Sequence, residues 1–326
     1  MTGSLFEFEE ESPRSHDRDL LRERLTLLAS RGVYVGGSSW KYEGWLGQIY
    51  SRENYRVRGR FSKKLFDETC LREYAGVFPT VCGDFAFYQF PTTAFWEKLF
   101  RQTAGSGASG RPFRWGFKVP EQITVPVWPL HARYGAQAGR KNPMFLDADL
   151  FTNSFLRPIE TWHEQVGVLI FEFGTLRQQA FESVADFVRA LDPFLDRLPS
   201  GWRYAVEIRN AEFLAPDYFA CLAAHGVTHV YNSWTRMPDL AEQIAIPESR
   251  TTDLLVARAL LKKGRPYEEA VAKFAPYTQV QEVNEPVRKA LREIVDIALV
   301  DGVPAFVFVN NRLEGNSPGT IITITE

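Results

Sequence analysis

Short, wholly apolar runs alternate with longer amphipathic stretches along almost the entire chain, and this alternation sets the expected fold. Asp17 to Ser30 carries Leu20, Leu21, Leu25, Leu27 and Leu28 at near-helical spacing among arginines and glutamates, which predicts an amphipathic helix ended by Gly32. Val33 to Val35 reads as a buried strand, and Gly36 to Trp45 as a loop dense in glycine and aromatics. The pattern continues with a helix over Phe61–Phe78, a strand over Val81–Tyr88, a helix over Thr92–Gln102 and a strand over Phe113–Lys118. Leu150–Gln165 is helix-compatible, with Pro158 kinking it or sitting in a first turn. Next come a strand over Val166–Phe173, a helix over Gln178–Leu198, a strand over 203–209, a helix over Tyr218–His225 and strands over Val227–Asn232 and Leu254–Arg258. Helices over Tyr267–Phe274 and Pro286–Val300 lead to a last strand, Ala305–Asn310.

Uniformly apolar short strands separated by helices argue for a parallel sheet covered on both faces. Eight such units argue for a closed (β/α)8 TIM barrel, with an open doubly wound sheet as the alternative. Thr320 to Glu326 is too short and too β-branched for a normal eighth helix, so that helix is expected to be short or missing. The helix before strand one would then fill the gap in the outer ring. Residues 1–17, acidic and Ser/Pro-containing, read as a mobile tail ahead of a single domain over 18–326. Residues 119–150, rich in proline, glycine and aromatics, read as a long loop or lid after strand three. The formal GxGxxG at Gly105, Gly107 and Gly110 follows a helix and leads into a strand, the reverse of a dinucleotide site.

Composition narrows the function classes. A chain 45% hydrophobic and 24% charged fits a globular protein with a large core. A net charge of -2 with no long basic run gives no indication of nucleic acid as a partner. No apolar run reaches membrane-spanning length, and the acidic N-terminus is unlike a signal peptide. Cys70, Cys82 and Cys221 have neither disulfide nor CxxC spacing and read as packing residues, so a reducing cytoplasm is the expected compartment. The oligomeric state is left open.

If the barrel is right, chemistry belongs at the C-terminal ends of the strands. In Tyr204–Arg209 the last residues switch to a carboxylate and a guanidinium two apart, which alternation puts on one face. Glu207 is the candidate acid/base residue, with a structural ion pair to Arg209 at the barrel mouth as the competing role. Lys118, Arg209 and Arg258 are expected to neutralise an anionic ligand. Asn310 and Asn311 are expected to position it, because polar side chains ending a buried strand have little packing rationale, with turn formation as the competing explanation. Glu172 is a possible second carboxylate on the neighbouring strand, as in a glycosidase pair. Trp40, Tyr42, Tyr88 and Trp234 are expected to stack on a ligand, with a hydrophobic plug as the competing role for the first two and Trp45. Lys118 as a Schiff-base nucleophile is the weaker alternative to charge neutralisation. His225 and His229 are four apart, but Gly226 separates them onto different elements, so no metal is expected, and no cofactor either. The expected function is acid/base catalysis, hydrolase or lyase, on a small anionic or carbohydrate-like substrate. A non-catalytic binder of a ligand or nucleic acid on the same scaffold is the alternative.

Several of these residues also resemble a known family, the uncharacterised domain of unknown function 72 or YecE-like proteins. The resemblance rests on Gly36 to Trp45 (Gly-x-Ser-x-Trp-x-Tyr-x-x-Trp), Phe87-Tyr88 with Pro91, Phe117-Lys118, Val206-Glu207-Ile208-Arg209 and Arg258. Gly264-Arg265-Pro266-Tyr267, Asn310-Asn311 and Glu314-Gly315-Asn316 complete it, over most of residues 33–320. The chain departs from the family's usual residues at Val81-Cys82-Gly83-Asp84, at Glu172 (often glutamine) and at Leu260 (commonly histidine). The resemblance implies a TIM barrel with a pocket, and no established reaction.

Overall fold

Eight parallel strands close on themselves in sequence order: β1 Val33–Gly37, β2 Thr80–Gly83, β3 Arg114–Lys118, β4 Val166–Phe173, β5 Tyr204–Ile208, β6 Thr228–Ser233, β7 Leu255–Ala259 and β8 Ala305–Val309, with β8 pairing back onto β1. This is a (β/α)8 barrel, seen in a computed structural model that describes residues 13–105, 112–176 and 180–326. Apolar residues on alternate positions fill the inside: Tyr34, Val168, Ile170, Val230, Val256, Phe306 and Phe308 form one buried cluster. Two glycines make room for the phenylalanines. A Cβ on Gly116 would lie 2.5 Å from the Phe308 ring, and one on Gly167 would lie 2.4 Å from Phe306. The lower barrel is therefore a packed core, and the charged residues gather at its upper end.

Register sets what that upper end contains. Glu172 of β4 is level with Glu207 of β5, and Asn232 of β6 is level with Arg258 of β7, which is level with Phe308 of β8. Alternation then turns Glu172, Glu207, Asn232 and Arg258 inward, above the apolar layers.

Strand two is shorter than its apolar run. It stops at Gly83, and Phe85–Phe87 form a single 3-10 turn. Phe85 folds back so closely that a Cβ on Gly83 would lie 2.6 Å from its ring, and it packs on Trp96 and Phe117 at 5.8 and 5.9 Å. Packing that half-buried ring on the aromatic core overrides extension of the strand.

The first helix runs Pro13–Ser30, beginning inside the stretch expected to be a tail, and the turn after it holds Gly32 at φ +86°; residues 1–12 lie outside those described. Leu21 and Leu25 are its buried side, packed against β1. The eighth helix is present in its short form, Ser317–Ile324, and starts three residues before the β-branched stretch from Thr320. Asn316 caps it by accepting from Gly319 N at 2.7 Å, Pro318 sits in its first turn, and Ile321 and Ile324 are buried. Capping and burial together outweigh the weak helix propensity of its threonines and isoleucines.

The long segment after β3 is folded. It contains helical turns at Glu121–Thr124 and Ala132–Gln137. The Asn142 amide donates to Gln122 O and Val125 O at 2.8 and 2.7 Å, closing the loop on itself. The helix expected from Gln178 runs Val184–Asp196 behind a Ser183 cap. Gln178 itself lies outside the described residues, as do Gly107 and Gly110. No helix among the described residues is long and apolar enough to cross a membrane.

Candidate functional site at the barrel mouth

The inward charges at the top of the barrel form one network. Glu172 Oε2 accepts from Arg258 Nη1 at 2.6 Å, Arg209 Nη2 at 2.8 Å and Lys118 Nζ at 2.9 Å. Glu207 Oε1 accepts from Arg209 Nε at 3.2 Å, and its Oε2 pairs with Arg258 Nη1. Arg258 reaches from β7 across the barrel to β4 and β5, so the network spans the mouth. Three cations face two carboxylates, which leaves one positive charge in excess. All five side chains are buried or nearly so, and Glu207 has 0% exposure. Aromatic faces wall the cations: Arg209 lies 3.7 Å from the Trp234 ring and Lys118 lies 3.7 Å from Phe87.

Burial and charge act in opposite directions on these groups. Burial alone would push the Glu172 carboxyl up, but the combined fields of Arg209, Lys118 and Arg258 outweigh it and hold the group well below the usual carboxylate range. Burial pulls the Lys118 amine below its ordinary value; Glu172 opposes that pull, and Arg258 and Arg209 add to it. Glu172 is thus fixed as an anion, and Lys118 is an amine whose charge is costly to keep.

Several polar atoms around the rim have no partner among the described residues. Ser38 Oγ after β1, Asn232 Oδ1 on β6, Arg258 Nε on β7 and Asn311 Nδ2 after β8 are all buried and unbonded. Buried polar groups are normally satisfied, and unsatisfied ones concentrated at strand C-termini mark a place where a ligand has bonds to make. A cavity of about 370 Å³ opens beside the same rim, between the helices Lys63–Ala75 and Thr93–Thr103. Trp40, Phe85 and Leu99 give it apolar walls, and Lys41, Asp84 and Lys98 give it polar ones.

The other sequence candidates fall into two groups. Asn310 and Asn311 stand beside the mouth, but their side-chain oxygens serve the backbone, accepting from Arg312 N at 2.9 Å and Ser317 N at 2.7 Å. Trp40 packs edge-on against Trp115 and Phe85, and Tyr42 packs on Trp45 and Tyr277. These contacts fit the plug reading of that loop, although Trp40 also faces the cavity. Tyr88 is 53% exposed under the Arg133 guanidinium, 4.5 Å away, while its neighbour Phe87 holds the inner place beside Lys118. The alternation rule fails there because Phe85–Phe87 is a helical turn. Glu314 sits in a buried lock that accepts from Arg288 Nη2 at 2.8 Å and Thr320 Oγ1 at 2.7 Å, tying the short turn Asn311–Glu314 to the helices Glu285–Asp301 and Ser317–Ile324. Asp84 and Phe87 are the site residues that sequence reasoning missed; the signal available was the polar break in an apolar run at Gly83-Asp84.

Comparison with known proteins shows the family and the barrel. The family model described as "Protein of unknown function DUF72" matches residues 34–326. The chain belongs to the DUF72 family. The DUF72 match runs from β1 to the last helix and so contains every member of the charged network. Among solved structures, a DUF72 family protein from Thermotoga maritima MSB8 is 20% identical, with a TM-score of 0.57 over 89% of this chain and 96% of that one. A DUF72 family protein from Enterococcus faecalis V583 is 14% identical, with a TM-score of 0.56 over 90% and 94%. At these identities the likeness shows the shared barrel. No curated protein matches the chain.

Proposed function

We propose that this DUF72 protein binds a small oxyanion-bearing molecule, phosphate or carboxylate, at the barrel mouth and acts on it by acid/base chemistry with Glu207. The observation that carries the reading is the excess cation: Lys118, Arg209 and Arg258 converge on only two carboxylates inside a low-dielectric rim. Guanidinium groups grip oxyanions in a fork, and here two of them are already desolvated and oriented. An arriving anion competes with Glu207 for Arg209 and Arg258. A guanidinium that turns to the ligand releases a carboxylate oxygen, so the ligand itself unmasks the base. Glu172, held ionised, serves to orient the cations and is unsuited to be a general acid. An enzyme with two carboxyls sharing acid and base roles is therefore the less favoured form of the chemistry.

One observation favours a second reading, a binder without turnover: both Glu207 oxygens are held by guanidinium groups and none of its surface is exposed. Calorimetric titration with inorganic phosphate, and a panel of phosphoesters and glycosides, separate the two. The enzyme reading expects phosphate affinity to fall at least tenfold in Arg209→Ala with Arg258→Ala, and panel turnover to vanish in Glu207→Gln. Unchanged affinity in the double variant would sink the anion pocket. Binding without turnover, insensitive to Glu207→Gln, would establish the binder.

A further inference from the structure

The outer layer of helices carries a second cluster of chemically reactive side chains, unconnected with the mouth. Cys221 lies on the helix Pro216–Ala224, and His225 caps the C-terminus of that helix. The two are four residues apart and therefore share a face. Asp192 comes from the helix Val184–Asp196, which packs alongside. One ligand atom from each, a carboxylate oxygen, the thiol sulfur and a ring nitrogen, lies within 4.8 Å of the other two. His225 Nε2 and Asp192 Oδ1 are 2.8 Å apart. His229, which sequence spacing offers as the partner of His225, is instead inside β6 and bonded to the Tyr218 hydroxyl at 3.2 Å.

We propose that Asp192, Cys221 and His225 form a three-ligand site for a divalent transition metal of the zinc class, with water in the fourth position. Metal–ligand bonds of about 2.0–2.3 Å at tetrahedral angles put ligand atoms about 3.3–3.8 Å apart. The three groups therefore reach bonding geometry with movements of about 1 Å. Cys221 and His225 form the more buried side of the site, and the Asp192 carboxylate, 60% exposed, has room to swing. A thiolate and an imidazole with one carboxylate select zinc or cobalt over magnesium or calcium, which take oxygen ligands.

Its place in the fold gives the site its role. His225 lies three residues before the start of β6, and Asp192 lies near the end of the helix that leads towards β5. Both positions are at the N-terminal end of the strands, opposite the mouth, where barrels keep stabilising features. A metal there clips two neighbouring outer helices together and leaves the chemistry at the mouth untouched.

The test is titration of the chelator-stripped full chain with Co(II), followed by Zn(II) competition against a chromophoric chelator. One equivalent of Co(II) should produce the strong visible bands of a tetrahedral ion and a thiolate charge-transfer band, and Zn(II) should displace it and raise Tm. Cys221→Ser should abolish the charge-transfer band. Asp192→Asn, at an exposed position that does not threaten folding, should weaken zinc binding at least tenfold. A simple Asp192–His225 ion pair needs no sulfur and predicts no stoichiometric uptake. Absence of uptake overturns the proposal, and so does a charge-transfer band that survives Cys221→Ser or a zinc affinity that Asp192→Asn leaves unchanged.

Discussion

Glu172→Gln tests whether the mouth network is one electrostatic unit. The substitution keeps side-chain shape but removes the charge from an oxygen that three cations approach at 2.6, 2.8 and 2.9 Å. Lys118, Arg209 and Arg258 then face Glu207 alone, and the local excess rises from one positive charge to two. Removing one partner from a buried ion-paired set costs about 3–5 kcal/mol. At about 2.1 cal/mol/K of unfolding entropy per residue, a chain of 326 residues loses about 4–7 °C in Tm for that cost. Differential scanning calorimetry at low ionic strength reads the shift. Adding Lys118→Met returns the excess to one charge and should recover at least about 1 kcal/mol, a coupling that a double-mutant cycle isolates. Sulfate should also stabilise Glu172→Gln more than the parent, because the variant has more uncompensated cation to offer. A Tm drop below about 1 °C, or a double variant no better than the single, would refute the picture of charges balanced against one another.

Two further outcomes follow from the same structure. Because burial lowers the Lys118 value in the folded chain from an ordinary 10.5, and a bound anion favours the protonated amine, affinity for sulfate should fall as pH rises through that lowered value. Lys118→Met should flatten the profile. The sign for folding is the reverse: the unfolded chain keeps this proton up to the ordinary value, so stability from this group rises with pH across the interval between the two. A sulfate affinity independent of pH across that interval would remove Lys118 from the site. Arg288→Ala strips three N–H contacts from Glu314, from Nε at 3.0 and 3.1 Å and from Nη2 at 2.8 Å, and leaves a carboxylate with 0% exposure short of a counter-charge. Denaturant unfolding should show a loss of about 3–5 kcal/mol, and a loss under 1 kcal/mol would mean the lock does not hold the last helices.

The strand count, the barrel and the pairing of Glu207 with Arg209 were legible in the sequence, because each depends on local periodicity. Short apolar runs separated by helices leave few alternatives to a parallel barrel, and two residues on one strand face must meet. Tertiary structure alone decided that one oxygen of Glu172 collects cations from β3, from the end of β5 and from β7. That depends on closure and register across the barrel, which no local pattern carries. It decided as well that Phe87 rather than Tyr88 stands beside Lys118, since Phe85, packed on Trp96 and Phe117, turns the chain into a helical turn. Asn310 and Asn311 looked like ligand groups because their backbone bonding partners lie in the next helix. The final helix is short, as its sequence suggests, and burial of Ile321 and Ile324 decides that it forms at all. Cys221, His225 and Asp192 came together only when two helices packed side by side. Short-range pattern thus determined which elements this chain forms, and packing between elements distant in sequence determined which side chains share a site.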